Sequence, residues 1–309
     1  MKDLKHLDIS SPPDVDSLSV NIEDYVSFEK LAWLNSQSEV GINVCISLCF
    51  SKCCDLRLVN YISAVKQLKI NPSFEFPLET LEELNEMCDL VSLEIGDFTK
   101  KNITFSSLTN INSLSKFRFS VGVNTPDQYN FINKQKSLKQ LHVKSLDLKL
   151  MTENLNLEFL RLDGTLKNEQ IINTKLPNLK KIHLHNASLY KNIAFLSELH
   201  HLQSISVYNT NKLDSFPLIQ NPENIKSLSL YNWPSLENID EILKFSNLES
   251  LAIIVSPLKK LKLTIEDFER LSMLTNLKTV HTDFGKISDQ EYYRIQQIYD
   301  KNHWENRAF

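Results

Sequence analysis

The chain has 309 residues, is 42% hydrophobic and carries a formal net charge of −4. Such a length can bury a sizeable core, and the mild acidic balance argues against a dedicated nucleic-acid binder. The longest apolar runs fall short of the roughly 18 residues a membrane span needs, and no apolar signal segment follows the first Met, so a cytoplasmic location without membrane attachment is expected.

In chain order, residues 1–60 read as an N-terminal cap region. LKHLDI is followed by the turn-forming SPPDVDS, and EDYVSFEKLAWLN has the make-up of a short helix. VGINVCISLCF is apolar and β-rich, which suits a strand covering the open end of whatever follows. Cys45, Cys49, Cys53 and Cys54 crowd this segment, with Cys88 further on. An odd number of cysteines fits a reducing compartment, and their spacing is not a common zinc pattern, so they are expected to be small buried hydrophobes of the cap.

From residue 61 to 286 one rhythm recurs: an apolar residue, another three later, another two later. It starts at Val65, Leu90, Leu114, Leu138, Leu157, Leu179, Leu202, Ile225, Leu248 and Leu277. LPNLKKIHLHN carries one copy, in Leu179, Ile182 and Leu184. The alternating pair marks a short strand with one face in a core. A fixed period of this size means stacked units, each unable to bury its apolar side alone. Between strands, helices are expected at 78–88, 126–135, 189–199, 237–245 and 265–274, with irregular links at 147–156 and 212–222. Residues 287–309 read as a C-terminal capping helix, with Ser288 as N-cap and Tyr292, Ile295 and Tyr299 on one stripe.

The unit Leu-x-x-Leu-x-Leu resembles the leucine-rich repeat family, as an irregular, stand-alone bacterial type. The resemblance covers roughly residues 60 to 285 and implies an α/β solenoid: a horseshoe with about ten parallel strands on its concave face and mixed helices and turns on its convex face, continuous as one domain. The family's ladder-forming Asn, Thr or Cys slot is filled unevenly here. It holds Thr165 and Thr210 but also Phe98, Leu146, Ala187 and Trp233, while Asn186, Asn209 and Asn232 sit one residue early. A regular asparagine ladder is therefore not expected.

Chemistry-bearing motifs are missing. The five glycines, at 41, 96, 122, 164 and 285, are too scattered for a phosphate-cradling loop. No HExxH, G-x-S-x-G or Cys/His nucleophile pattern is present. The expectation is a non-enzymatic protein with no cofactor and no metal. His183, His185 and Asp163 have zinc-compatible side chains, but they equally suit partner contacts or plain surface.

The residues between the repeat leucines should line the concave face, where such solenoids present an extended surface. Lys116, Arg118, His142, Lys144, Arg161, Lys181, His183 and His185 make its centre basic beside Asp163. Phe159, Tyr208, Tyr231 and Trp233 add aromatic groups. A basic centre beside an aromatic patch suits one protein partner with an acidic face, bound by a chain that is monomeric when free. The resemblance implies a protein-binding module. The chain's Gly-poor, Asn/Lys/Ile-rich composition looks like that of an AT-rich bacterial genome, and small stand-alone repeat proteins of this kind resemble immunity proteins that neutralise polymorphic interbacterial toxins, which is the narrower expectation. The alternative is an adaptor or effector that recruits a cellular target.

Overall fold

The computed structural model describes the chain except residues 1, 5–6, 8, 10–14, 24–25, 51–54, 257, 284 and 306–309. It forms two compact units, Met1–Asn156 and Leu157–Phe309.

In the first unit, β1 (Lys2–Asp3), β2 (Ser17–Ile22), β3 (Asn43–Cys49), β4 (Gln67–Asn71), β5 (Ser92–Ile95), β6 (Lys116–Phe119) and β7 (Gln140–Val143) lie side by side in chain order. Every neighbouring pair is parallel and in register, as in Leu68↔Leu93 and Leu93↔Phe117. Helices α1 (Phe28–Glu39) and α2 (Pro126–Lys134) and a short strand β8 (Leu146–Asp147) complete it. In the second unit, β9 (Phe159–Leu162), β11 (Lys181–Leu184), β12 (Ser204–Tyr208), β13 (Ser227–Tyr231), β14 (Ser250–Ile254) and β15 (Thr279–Asp283) form an equally regular parallel sheet. Around it lie β10 (Leu166–Lys167) and helices α3 (Ile172–Lys175), α4 (Ile265–Arg270) and α5 (Asp289–Asn302).

The three-then-two rhythm has a local cause. The leading residue closes a turn onto the carbonyl three residues back: Leu90 onto Met87, Leu179 onto Leu176, Leu202 onto Leu199, Leu248 onto Phe245. That turn swings it into the core, where Val65, Leu90, Leu138 and Leu179 are fully buried; Leu114 is as deep, with its N–H donating to Gln135 Oε1. The next two N–H groups then clamp one carbonyl of the preceding repeat. Lys180 and Lys181 both donate to Glu158, and Gln203 and Ser204 both donate to Lys180. From there the strand alternates, burying Leu68 with Ile70, Phe117 with Phe119 and Ile182 with Leu184. Each such side chain contributes about 1.5–3 kcal/mol of gross burial. In the first unit, Phe105, Phe117, Phe119 and Phe131 meet edge to face in the core at 5.1–6.0 Å.

Several expectations need correction. The strand ladder does not begin after residue 60: β2 and β3 already pair in the parallel sheet, Val20↔Ile46 and Ile46↔Leu68. They escape the motif because Leu18 and Val44 fill the leading core slot two residues ahead rather than three. Cys45 and Cys49 are half-buried on the open face of β3, not in its core, because they fall on the outward positions of the alternation. Burial pushes the Cys45 thiol pKa up, while Lys69 acts against it. Cys53 and Cys54 lie outside the described residues.

The expected helices at 78–88, 189–199 and 237–245 are shorter 3-10 segments: Glu82–Glu86, Ala194–Glu198 and Ile242–Lys244. Helix α2 falls within 126–135, capped by Thr125 with Gln128 bonding back to the cap. Asn186 Nδ2 donates to the Asp163 carbonyl (2.6 Å), and Asn209 Nδ2 to the His185 carbonyl (3.2 Å). Asn232 Nδ2 donates to Asn209 Oδ1 (3.0 Å), so a short asparagine run does exist, in the early slot.

Candidate partner-binding faces

Each sheet has one face in the core and one face open, and the candidate residues divide between the two units. On the first unit, the in-register row Lys69–Glu94–Arg118–His142 crosses the open face, with Lys116 beside it. Glu94 is 8% exposed, which is unusual for a carboxylate. Three cations compensate: Lys116 Nζ at 2.5 Å, Lys69 Nζ at 3.5 Å and an Arg118 NH group at 3.9 Å. Burial pushes its pKa up. The Lys116 hydrogen bond and the three positive charges outweigh that and hold it below the ordinary value. The expected basic centre is thus partly matched from within. Lys144 is exposed and has no ion pair among the described residues.

On the second unit, the Arg161 Nε–H donates to Asp163 Oδ1 (2.9 Å), and His185 Nδ1 lies 3.9 Å from the same oxygen. His183 meets the Phe159 ring edge to face, with ring centres 4.8 Å apart. No group of three metal-binding side chains occurs among the described residues. Lys181 is exposed at the start of β11.

The row that follows is aromatic. The His185 ring lies 4.9 Å from Tyr208, and Tyr208 stacks on Tyr231 at 4.5 Å with an interplanar angle of 3°. Ile254 pairs in register with Tyr231. Register produces this stack: two parallel strands place the same position of successive repeats side by side. The ring faces are turned towards their neighbours along the row, so the row presents ring edges. Beside the row, register aligns Ser204, Ser227 and Ser250 in one line and Ser206, Ser229 and Ala252 in another, a low floor. Burial, and next the adjacent Tyr208, push the Tyr231 pKa up against a Ser229 hydrogen bond, so its phenol is neutral at physiological pH.

Trp233 does not belong to this face. It is 1% exposed, and its indole N–H donates to the Leu213 carbonyl at 2.7 Å. The chain leaves β13 through Asn232 in the left-handed region (φ 54°), which turns the next side chain inwards. Sequence reasoning missed the burial of Glu94 and the exposed pair Phe74 and Phe98, 82% and 47% exposed. Their only signal is Phe98 standing where the family pattern has a small polar residue. No helix among the described residues is long and apolar enough to cross a membrane.

No family model matches the sequence, and no curated protein matches it. Among solved structures, the chain is similar to an internalin of Listeria monocytogenes (16% identity, 93% of this chain and 90% of that one, TM-score 0.45). It is also similar to a leucine-rich repeat protein of Leptospira interrogans (15%, 94% and 89%, TM-score 0.36). A third is the internalin C2 of Listeria monocytogenes (19%, 76% and 77%, TM-score 0.29). The fold is identified by the ladder itself: parallel in-register strands, delivered from β4 onwards by a Leu-x-x-Leu-x-Leu turn and strand, make both units leucine-rich-repeat solenoids.

Proposed function

We propose that this chain is a non-catalytic protein-binding solenoid that holds its partner on the open sheet face of the second unit. The observation that carries the reading is the row His185–Tyr208–Tyr231–Ile254 over its serine floor. Amphipathic rings held rigid by stacking bring large contact area at low entropic cost, and their hydroxyls bond polar groups of a protein surface. A base-stacking platform needs free ring faces, and here neighbours take them up. Lys181 and Arg161 at the same face favour an acidic surface on the partner.

At finer grain, we read the partner as the catalytic domain of an interbacterial toxin and the chain as the immunity protein that blocks it. Tagged full-length chain should recover one stoichiometric, acidic-faced protein from its native host, with recovery unchanged by RNase. Co-expression should then relieve the partner's toxicity. Recovery that depends on RNA would sink the protein-binding reading. A non-toxic partner would replace immunity with recruitment of a cellular target.

A further inference from the structure

In the first unit, the connector from β4 to β5, residues 72–91, holds six carboxylates and no Lys, Arg or His. The whole chain has a net charge of only −4, so this is a local excess of negative charge. The start of the connector, together with the turn Leu56–Tyr61 of the preceding one, forms a pocket of about 630 Å3.

Four carboxylates line the pocket, Asp55, Glu75, Glu79 and Glu83, against one cation, Arg57. Arg57 is engaged already, donating to both oxygens of Asp55 at 2.5–3.1 Å. Lys100, from the next connector, reaches Glu79 at 2.8 Å. Glu75 and Glu83 have no ion pair among the described residues. Independently of that count, Glu83 Oε2 is buried and has no hydrogen-bond partner among them. A carboxylate oxygen shut away from water without a donor is costly, and a donor entering the pocket would remove that cost. The remaining wall is apolar: Leu56 and Leu78 are buried, and Phe76 and Pro77 complete it. Carboxylates beside an apolar wall fit a side chain with an aliphatic stem and a cationic head.

We propose that this pocket docks a basic segment of a second protein and takes one of its lysine or arginine side chains. The stem lies against Phe76 and Pro77, and the head donates to Glu83 and Glu75. The uncompensated carboxylates of the connector attract the rest of the segment and repel an acidic one. The inference goes beyond the aromatic row in unit, in residues and in the sign of the partner's charge, so the two can fail separately.

The test is selection of a random seven-residue peptide library, displayed on phage, against the intact chain at physiological salt. Enriched peptides should share a Lys or Arg at one position. A synthetic copy should bind Glu83→Gln about tenfold more weakly. Glu86→Gln removes the same charge outside the pocket and should cost less than about twofold. Unchanged thermal unfolding establishes that both variants are folded, and Glu75→Gln, at an exposed residue, repeats the test should Glu83→Gln not fold. No enrichment of basic peptides would overturn the proposal, and so would equal losses from Glu83→Gln and Glu86→Gln, which mean diffuse attraction without a pocket. Self-association of the chain in sedimentation, abolished by Glu83→Gln, would give the pocket to a second copy and overturn it likewise. Peptide binding lost with Tyr208→Ser/Tyr231→Ser and kept by Glu83→Gln would overturn the pocket and leave the protein-binding reading standing.

Discussion

Trp233 is where one side chain changes meaning between sequence and structure. It follows a surface tyrosine by two positions, yet the left-handed Asn232 turns it into the core beside Phe216. Trp233→Ala is expected to cost about 3–5 kcal/mol in denaturant unfolding. Trp233→Phe should cost less, because Ser235 Oγ also donates to the Leu213 carbonyl and keeps it satisfied. Glu94 makes a second case, and its expectation concerns pH. Its pKa in the fold lies below the ordinary 4.5, so the stability it adds is complete above that value and is lost as pH falls through the folded one. The stability gap between wild type and Glu94→Gln should be widest near neutral pH and close on acidification, read from urea unfolding across the range.

The repeat itself was legible because burial has a period. Residues such as Leu179, Ile182 and Leu184 advertise a turn and a strand through spacing alone, and all three are buried as the spacing requires. What spacing does not carry is the form of the return path. Segments such as LETLEELNEMC have helical apolar spacing but only one tight turn's worth of regular structure, Glu82–Glu86. A short repeat leaves little chain to travel back, and a 3-10 turn covers more length per residue than an α-helix. Strands β2 and β3 were illegible as repeats because their leading core residue is part of the strand instead of a preceding turn. The asparagine run is testable here. Asn209 holds φ 57°, bonds the His185 carbonyl and accepts from Asn232. Asn209→Ala loses those bonds and strains the backbone, an expected cost of about 2–4 kcal/mol. Asn209→Gly loses only the bonds and should recover roughly 1 kcal/mol of that, measured by chemical unfolding.

For the molecule as a binder, the candidate face was readable as a list of outward positions, but its electrostatics were not. Counting charges along the strands gave a basic centre. Side-chain geometry shows Glu94 set among two of those cations, Lys116 and Arg118, and Lys69 beside them, and Asp163 bonding Arg161, which a linear sequence cannot display. Long-range attraction to the partner should accordingly be modest. Between 50 and 200 mM salt, affinity is expected to fall by less than about tenfold, against the 10³–10⁵ lost by a binder of many phosphates. Titrating the purified complex at two salt concentrations measures this.

The central claim is that the stacked tyrosines of the second unit hold the partner. Its most direct measurement is calorimetric titration of the purified partner with wild type and with Tyr208→Ser/Tyr231→Ser. Both side chains are only half-buried, so the variant should unfold close to the wild-type temperature. The account predicts an affinity loss of about 30-fold or more, the scale of an interface hot spot of 2 kcal/mol. Equal affinity in a folded double variant would contradict it and move the interface away from this face.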